Sequence, residues 1–417
     1  IAVIGAGIVG HWVGPGERNV SDPTEYVKVE STLLKPRAGR LSFRFLEPME
    51  ELIYLDQVRL LAVDHPAEAE VYPNEYFAGS PPFTPFQVIA SRGARPPRGA
   101  WDDQGRDVLP KLLRRDRDYI SGFGLLPFKG FAELHALELD LGARNASRPL
   151  RLLLDGFIDY FSANSVYAAH QAGVRPIPPY VEARDAGGRW VRVVENMGFP
   201  AGLARTMVAD LTGRLPPGTR RIRIVTNLQI YWDRIRIDTT PEGIPLRLTE
   251  VPLAEARLGF RGYPRAVEGE PRGDLSYIYE EVSATGPYAQ HAGSYTRYGD
   301  VLRLVTSADD QFAIFGTGEE VALEFDPTGL PPLPAGWSRD WLFFADGFEK
   351  DMDFYEAHAE TVEPLPFHAM GRYPYPAAKH YPEGEPHLRY RLNYNTRHVS
   401  GRSVAAFRFA YRPQKGN

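Results

Sequence analysis

The side chains whose types and spacing best suit chemistry are carboxylates. Asp346, Glu349, Asp351 and Asp353 crowd together after an apolar run. Hard oxygen donors at this spacing in a loop suit Ca²⁺, so calcium is the one cofactor these residues suggest. A counterpart around Asp155 and Asp159 is poorer in acid, which argues against a metal site common to both places. A second constellation is aromatic: Tyr160, Phe161, Tyr167, Tyr231 and Trp232 together would offer a platform for a sugar ring. The alternation of apolar residues around Trp232 also suits a place in the core.

Other chemistries are not indicated. The ten histidines include His358, His368, His380, His387 and His398 near the end of the chain, but none forms the helical H-x-x-x-H or H-E-x-x-H pair that marks zinc. There is no G-x-S-x-G elbow, and no Ser-His-Asp set or carboxylate pair is singled out by position. No catalytic residue is therefore assigned. Residues 1–10, IAVIGAGIVG, place Gly5, Gly7 and Gly10 in dinucleotide-binding spacing, with Glu30 twenty residues on. That site needs a helix to start at the glycines, because helix N-terminal amides hold the pyrophosphate. Gly14, Pro15, Gly16 and Pro23 oppose such a helix, so a flavoprotein is the weakest alternative.

The elements that must position these residues are short strands. The chain has 417 residues, more than one hydrophobic core usually serves, with 43% apolar and 12% aromatic residues. Gly and Pro number 39 and 37, a level natural where many strands are joined by turns. A formal charge of −5 without a basic block gives no footprint for nucleic acid, and the absence of cysteine excludes disulfides and thiolate chemistry. No apolar run reaches membrane-helix length. The chain starts without Met inside an apolar run, which is expected of a processed or incomplete N-terminus.

Internal repetition organises the rest. DVL at 107–109, acids at Asp116 and Asp118, Tyr119, ALELD at 136–140, LLLDGF at 152–157 and YAAH at 167–170 recur in order. Their counterparts are DVL at 300–302, Asp309-Asp310, Phe312, ALEFD at 322–326, FFADGF at 343–348 and YEAH at 355–358. YLDQVRL at 54–60 likewise echoes YWDRIRI at 231–237. Alternation in residues 41–45, 221–225 and 235–238 predicts antiparallel sheets with one buried face. The expected fold is all-β, with tandem β-sandwich, jelly-roll-like units and an irregular Tyr/Pro-rich C-terminal section that wraps the preceding unit. Expected divisions are 1–92, the tail of an upstream unit plus linker; 93–245, a sandwich; and 246–417, a second sandwich with the wrapping segment. Short helices are predicted only near 108–114 and 202–211.

Several strings carry a family likeness: YLDQVRLLAVDHP at 54–66, VENMGFPAG at 194–202, IVTNLQIYWD at 224–233, YTRYGD at 295–300, PFH at 366–368 and YNTR at 394–397. The chain resembles the region downstream of the FG-GAP (VCBS) repeats and ASPIC/UnbV domain in large bacterial secreted proteins similar to cartilage acidic protein. The resemblance implies an exported or cell-surface location and a calcium-binding propeller upstream. It transfers no catalytic residue, and no D-x-D-x-D-G calcium loop of the FG-GAP kind is present here. The function expected is non-catalytic binding or structure, to glycans or in a surface assembly with other proteins or copies of itself. The principal alternative is a secreted hydrolase with its site between units, which a concave pocket gathering carboxylates or a perturbed histidine would favour.

Overall fold

The computed structural model describes residues 7–11, 19–29, 31, 34–77, 79, 83–143, 145, 147–159, 161–202 and 204–400, and these form an all-β protein. In chain order the strands that matter begin with β1 (Gly7–His11), β2 (Thr24–Val29), β3 (Leu41–Leu46), β4 (Glu51–Pro66), β5 (Glu70–Pro73), β6 (Val88–Ser91) and β7 (Gly99–Asp102). Then come β8 (Phe131–Asp140), β9 (Arg151–Ile158), helix α1 (Ala163–Gln171), β10 (Tyr180–Arg184), β11 (Trp190–Val194), β12 (Arg205–Asp210), β13 (Arg221–Leu228) and β14 (Ile230–Asp238). The last are β15 (Arg247–Val251), β16 (Leu253–Phe260), β17 (Ala313–Gly316), β18 (Glu319–Phe325), β19 (Trp337–Asp351) and helix α2 (Glu385–Tyr394).

One sandwich packs sheet β12-β9-β14 against sheet β11-β10-β13-β8-β7. In the other, β4 and β19 form the centre of a sheet flanked by β2, β15, β17 and β1, and this sheet packs against β16-β18-β3. Alternation does what it should: β3 buries Leu41, Phe43 and Phe45 and exposes Ser42, and β13 buries Ile222 and Ile224 between half-exposed arginines. Each such buried Leu, Ile or Phe contributes about 1.5–3 kcal/mol relative to exposure.

The two sandwiches share an irregularity already visible in the sequence. Core residues of β4 run Ile53, Leu55, then Val58, Leu60, Ala62; those of β14 run Ile230, Trp232, then Ile235, Ile237. A step of three breaks the period of two, and a bulge restores it by inserting one unpaired residue. In β14 the extra residue is Asp233, where pairing moves from Asp155↔Arg234 to Gly156↔Trp232. In β4 it is Asp56, where pairing moves from Asp346↔Gln57 to Gly347↔Leu55. The matched LLLDGF and FFADGF blocks thus face matched bulges.

Segment 1–92, expected to close a unit begun upstream, lends β2, β3 and β4 to the sheets of the 246–417 section: β4 pairs β19 from Pro66↔Trp337 to Glu51↔Asp351, and β3 pairs β18. The sandwich of β7–β14 is therefore inserted, in sequence, between two halves of the other. Residues 205–210, expected to be helical, form β12 because they pair with β9 along its length; sheet pairing overrides local propensity. The expected short helix near 108–114 is a single 3-10 turn, Leu109–Leu112. Helix α1 was not anticipated, although its signals are local: Ser162 caps it by accepting from the Ser165 amide, and Gly173 follows its end with φ +79°. Its Tyr167 has no helical counterpart, since 355–358 is irregular, yet Tyr167 and Tyr355 stack at 3.7 Å.

The C-terminal section wraps as expected. Val362, Leu365, Phe367, Met370, Tyr373 and Tyr381 pack on Leu52, Tyr54, Phe312 and Phe348. Fully buried Lys350 ties it down, donating to the carbonyls of Thr361 and Val362 and to the Tyr373 hydroxyl. Of the N-terminal glycine motif, Gly7 and Gly10 lie within β1, which runs parallel to β19, so no helix starts at these glycines; Gly5, Glu30 and residues 12–18 lie outside the described residues. No helix among the described residues is long and apolar enough to cross a membrane.

Candidate functional site

The bulge aspartates organise a polar centre in each sandwich. Asp233 Oδ1 accepts from the amides of Asp116 (3.2 Å) and Arg117 (3.0 Å), and Asp56 Oδ2 accepts from the amide of Asp310 (2.9 Å). Arg117 and Asp310 both adopt positive φ, 68° and 62°. Each acidic turn thus docks on a bulge carboxylate, the same device used twice.

The surroundings differ. Asp155, across from the first bulge, receives Arg234 Nε at 2.8 Å and lies 3.7 Å from Arg115. Asp346, across from the second, faces His368, whose Nε2 is 2.7 Å away; the same ring's Nδ1 is 2.7 Å from Asp310 and 3.7 Å from Asp56. Burial opposes charge on this ring, but hydrogen bonds to Asp310 and Asp346 outweigh it and raise its pKa to about 10, so both nitrogens donate as an imidazolium. Burial lifts Asp56 to about 7 against the pull of the Asp310 and Asp309 amides and His368.

His368 also lines a cleft of about 610 Å³, with Asp22, Tyr26, Glu75, Tyr76, Phe83, Phe86, Phe344 and Phe348 among its walls. The segment leading into β2, the loop between β5 and β6, and β19 bring these residues together. Tyr26 stacks on Phe86 at 3.7 Å and leans on Phe344. Burial, reinforced by Glu25, raises Glu75 to about 8, although its Oε2 accepts from the Tyr26 amide. Burial also raises Asp22, against hydrogen bonds from the Thr24 amide and hydroxyl. Glu25 is raised by burial too, although Arg205 of the other sandwich pairs with it. The cleft therefore joins aromatic walls to carboxyl groups, one of which carries its proton at neutral pH.

The residues singled out by sequence fall elsewhere. Tyr231 and Trp232 are 4% exposed and belong to the interior, Tyr231 stacked on Phe157, so neither offers a face to a ligand. One face of Tyr167 is covered by Tyr355, and Tyr160 lies outside the described residues. The acidic quartet does not converge. The segment read as a loop is largely strand β19, and the five steps from Asp346 to Asp351 span about 16 Å. Asp346 meets His368, Asp351 lies opposite Glu51, Glu349 opposite Ile53, and Asp353 accepts from Asn164. Asp22, Glu75, Asp56, Asp310 and His368 were not singled out. Asp310 and His368 do stand in motifs visible in the sequence, but their partners lie dozens to hundreds of positions away.

A fold of two β-sandwich units with a cleft walled by aromatics and carboxyl groups is the class this structure defines. No protein-family model matches the chain, and comparison with curated proteins finds no significant match.

Proposed function

We propose that the protein is a non-catalytic extracellular or cell-surface binding protein that takes a polyhydroxylated, sugar-like ligand in the cleft walled by Tyr26, Glu75, Phe86 and His368. The observation that carries this is the composition of that cleft: aromatic surface for the apolar face of a ring, and carboxyl groups able to donate and accept toward hydroxyls. Export and a place in a bacterial surface assembly are supported by the resemblance to the region downstream of FG-GAP and ASPIC/UnbV domains. Calorimetric titration of glycans selected on an array is expected to give saturable binding that Phe86→Ala and Glu75→Gln each weaken at least tenfold. A flat array, or binding indifferent to both changes, removes this reading.

A second reading, a secreted hydrolase, is favoured by one observation. Glu75, held up to about 8, keeps its proton at neutral pH as a general acid must. Asp22 in the same cleft supplies a second carboxyl group. Oligosaccharide turnover abolished by Glu75→Gln would establish it; binding without turnover leaves the non-catalytic reading standing.

A further inference from the structure

We propose that Asp56, Asp310 and His368 form a binding site for a divalent cation of the Zn²⁺ or Mn²⁺ class, formed beneath the cleft by the second bulge. One ligand atom from each lies within 4.8 Å of the others. Donors around an ion with bonds of ~2.1 Å stand roughly 3.3–4.2 Å apart. His368 Nδ1 and Asp56 Oδ2, at 3.7 Å, already meet this, whereas Asp310 Oδ1, hydrogen-bonded to the same nitrogen at 2.7 Å, must draw back by about half an ångström to admit the ion. One imidazole with two carboxylates suits these ions better than Ca²⁺, which prefers an all-oxygen shell.

Two further observations support a cation at this place. Asp56 is fully buried, and its Oδ1 has no hydrogen-bond partner, which leaves a lone pair of a carboxylate unanswered in the interior. The duplicated unit supplies the contrast. Equal spacing within the matched blocks sets Arg115 against Ala308, Arg117 against Asp310, and Arg234 against Gln57. Where one unit keeps two arginines beside Asp155, the other has Ala308 and Gln57 at those positions, and Asp310 stands where the first has Arg117. Three aspartates, Asp56, Asp310 and Asp346, then face the single positive charge of His368. A divalent ion offsets part of this deficit, because its two charges exceed the one proton that His368 gives up. On binding, His368 Nδ1 releases its proton to solvent and donates its lone pair to the ion, while Nε2–H remains on Asp346, the orienting contact typical of ligating histidines. The absence of paired histidines in the sequence does not bear on this site, since its donors come from three separate segments.

This inference does not depend on the ligand of the cleft. Tag-free full chain, treated with chelator and then titrated with Zn²⁺ and with Mn²⁺ in the absence of sugar, is expected to bind one ion per chain. Asp56→Asn and His368→Ala should each weaken that binding at least 100-fold, with circular dichroism confirming the fold; Asp310→Asn serves where His368→Ala does not fold. Asp233→Asn, the matching change in the other unit, should leave affinity unchanged. Absence of binding up to millimolar metal, or binding that survives Asp56→Asn and Asp310→Asn, overturns the proposal.

Discussion

Gly347→Ala is expected to lower the thermal unfolding midpoint by roughly 3–4 °C, the equivalent of ~3 kcal/mol of overpacking in a chain of this size. A Cβ at this position would sit 2.2 Å from the carbonyl oxygen of Tyr54 and 3.1 Å from the Cα of Leu55. Both obstacles are backbone, and both belong to the strand that carries the Asp56 bulge, so no rotamer change relieves them. Gly156→Ala meets the same obstacle in the other unit, with the Tyr231 carbonyl at 2.5 Å and the Trp232 ring at 2.9 Å. A fall of similar size is expected there. Gly259→Ala is the control: it lies in a strand with nothing within 4 Å of an added Cβ, and its midpoint should stay within about 2 °C. Scanning calorimetry of the three variants checks this; if Gly347→Ala melts like the control, the close approach at the bulge is not what the glycine is for.

The second large effect concerns pH. Glu47, Glu51 and Asp351 gather at the end of the β4–β19 pair, where Asp351 lies directly opposite Glu51 and bonds to it. Burial raises Glu47 to about 8 and Asp351 to about 6, and burial together with Glu47 holds Glu51 well above the usual carboxyl range. A carboxyl whose folded pKa exceeds its unfolded value binds more protons in the folded state, so it stabilises below the unfolded pKa of 4.5 and loses that contribution as pH rises through about 8. Glu75 acts in the same direction. Lys350, pushed down to about 7 by burial, opposes this at the upper end, but one lysine against Glu47, Glu51 and Glu75 leaves the net direction unchanged from pH 5.5 to 7.5. The unfolding midpoint is expected to fall by roughly 5 °C or more across that range, and Glu51→Gln, which mimics the protonated acid, should raise the midpoint at pH 7.5 and leave it nearly unchanged at pH 5.5. A midpoint that climbs from pH 5.5 to 7.5 in the parent chain would show that these acids are ionised at no cost to the fold.

Much of the fold was legible because its signals are local. Alternation in 41–45 and 221–225 is the direct consequence of side chains pointing to opposite faces of a strand, and those residues are buried and exposed in that order. The steps from Leu55 to Val58 and from Trp232 to Ile235 write each bulge into the spacing of apolar residues, and the repeated D-G pair marks the strand that crosses it. The irregular part of the C-terminal section could be read from its Tyr and Pro content, since such chain holds its place only by burying aromatic area, as Tyr373 and Tyr381 do, whereas helix α2 within that section was not expected.

The site was not legible, and its residues show why. An exposed-looking Tyr231 and a core Tyr have the same local sequence signature; only the packing of Phe157 and Tyr119 against Tyr231 decides between them. Asp346 to Asp353 look clustered along the chain because sequence does not say whether the backbone is folded back, as in a loop, or drawn out along a strand. His368 meets Asp56, Asp310 and Asp346 only because β4 pairs with β19 and the wrapping segment returns across them. Alone, the sequence determined the all-β class, the alternating faces and the repeated blocks, because each is encoded within a few residues; that those blocks meet at a bulge came from the structure. Tertiary structure decided which carboxylates converge, which aromatics remain accessible and that the N-terminal strands complete the C-terminal sandwich, because these depend on register between strands up to about 300 residues apart.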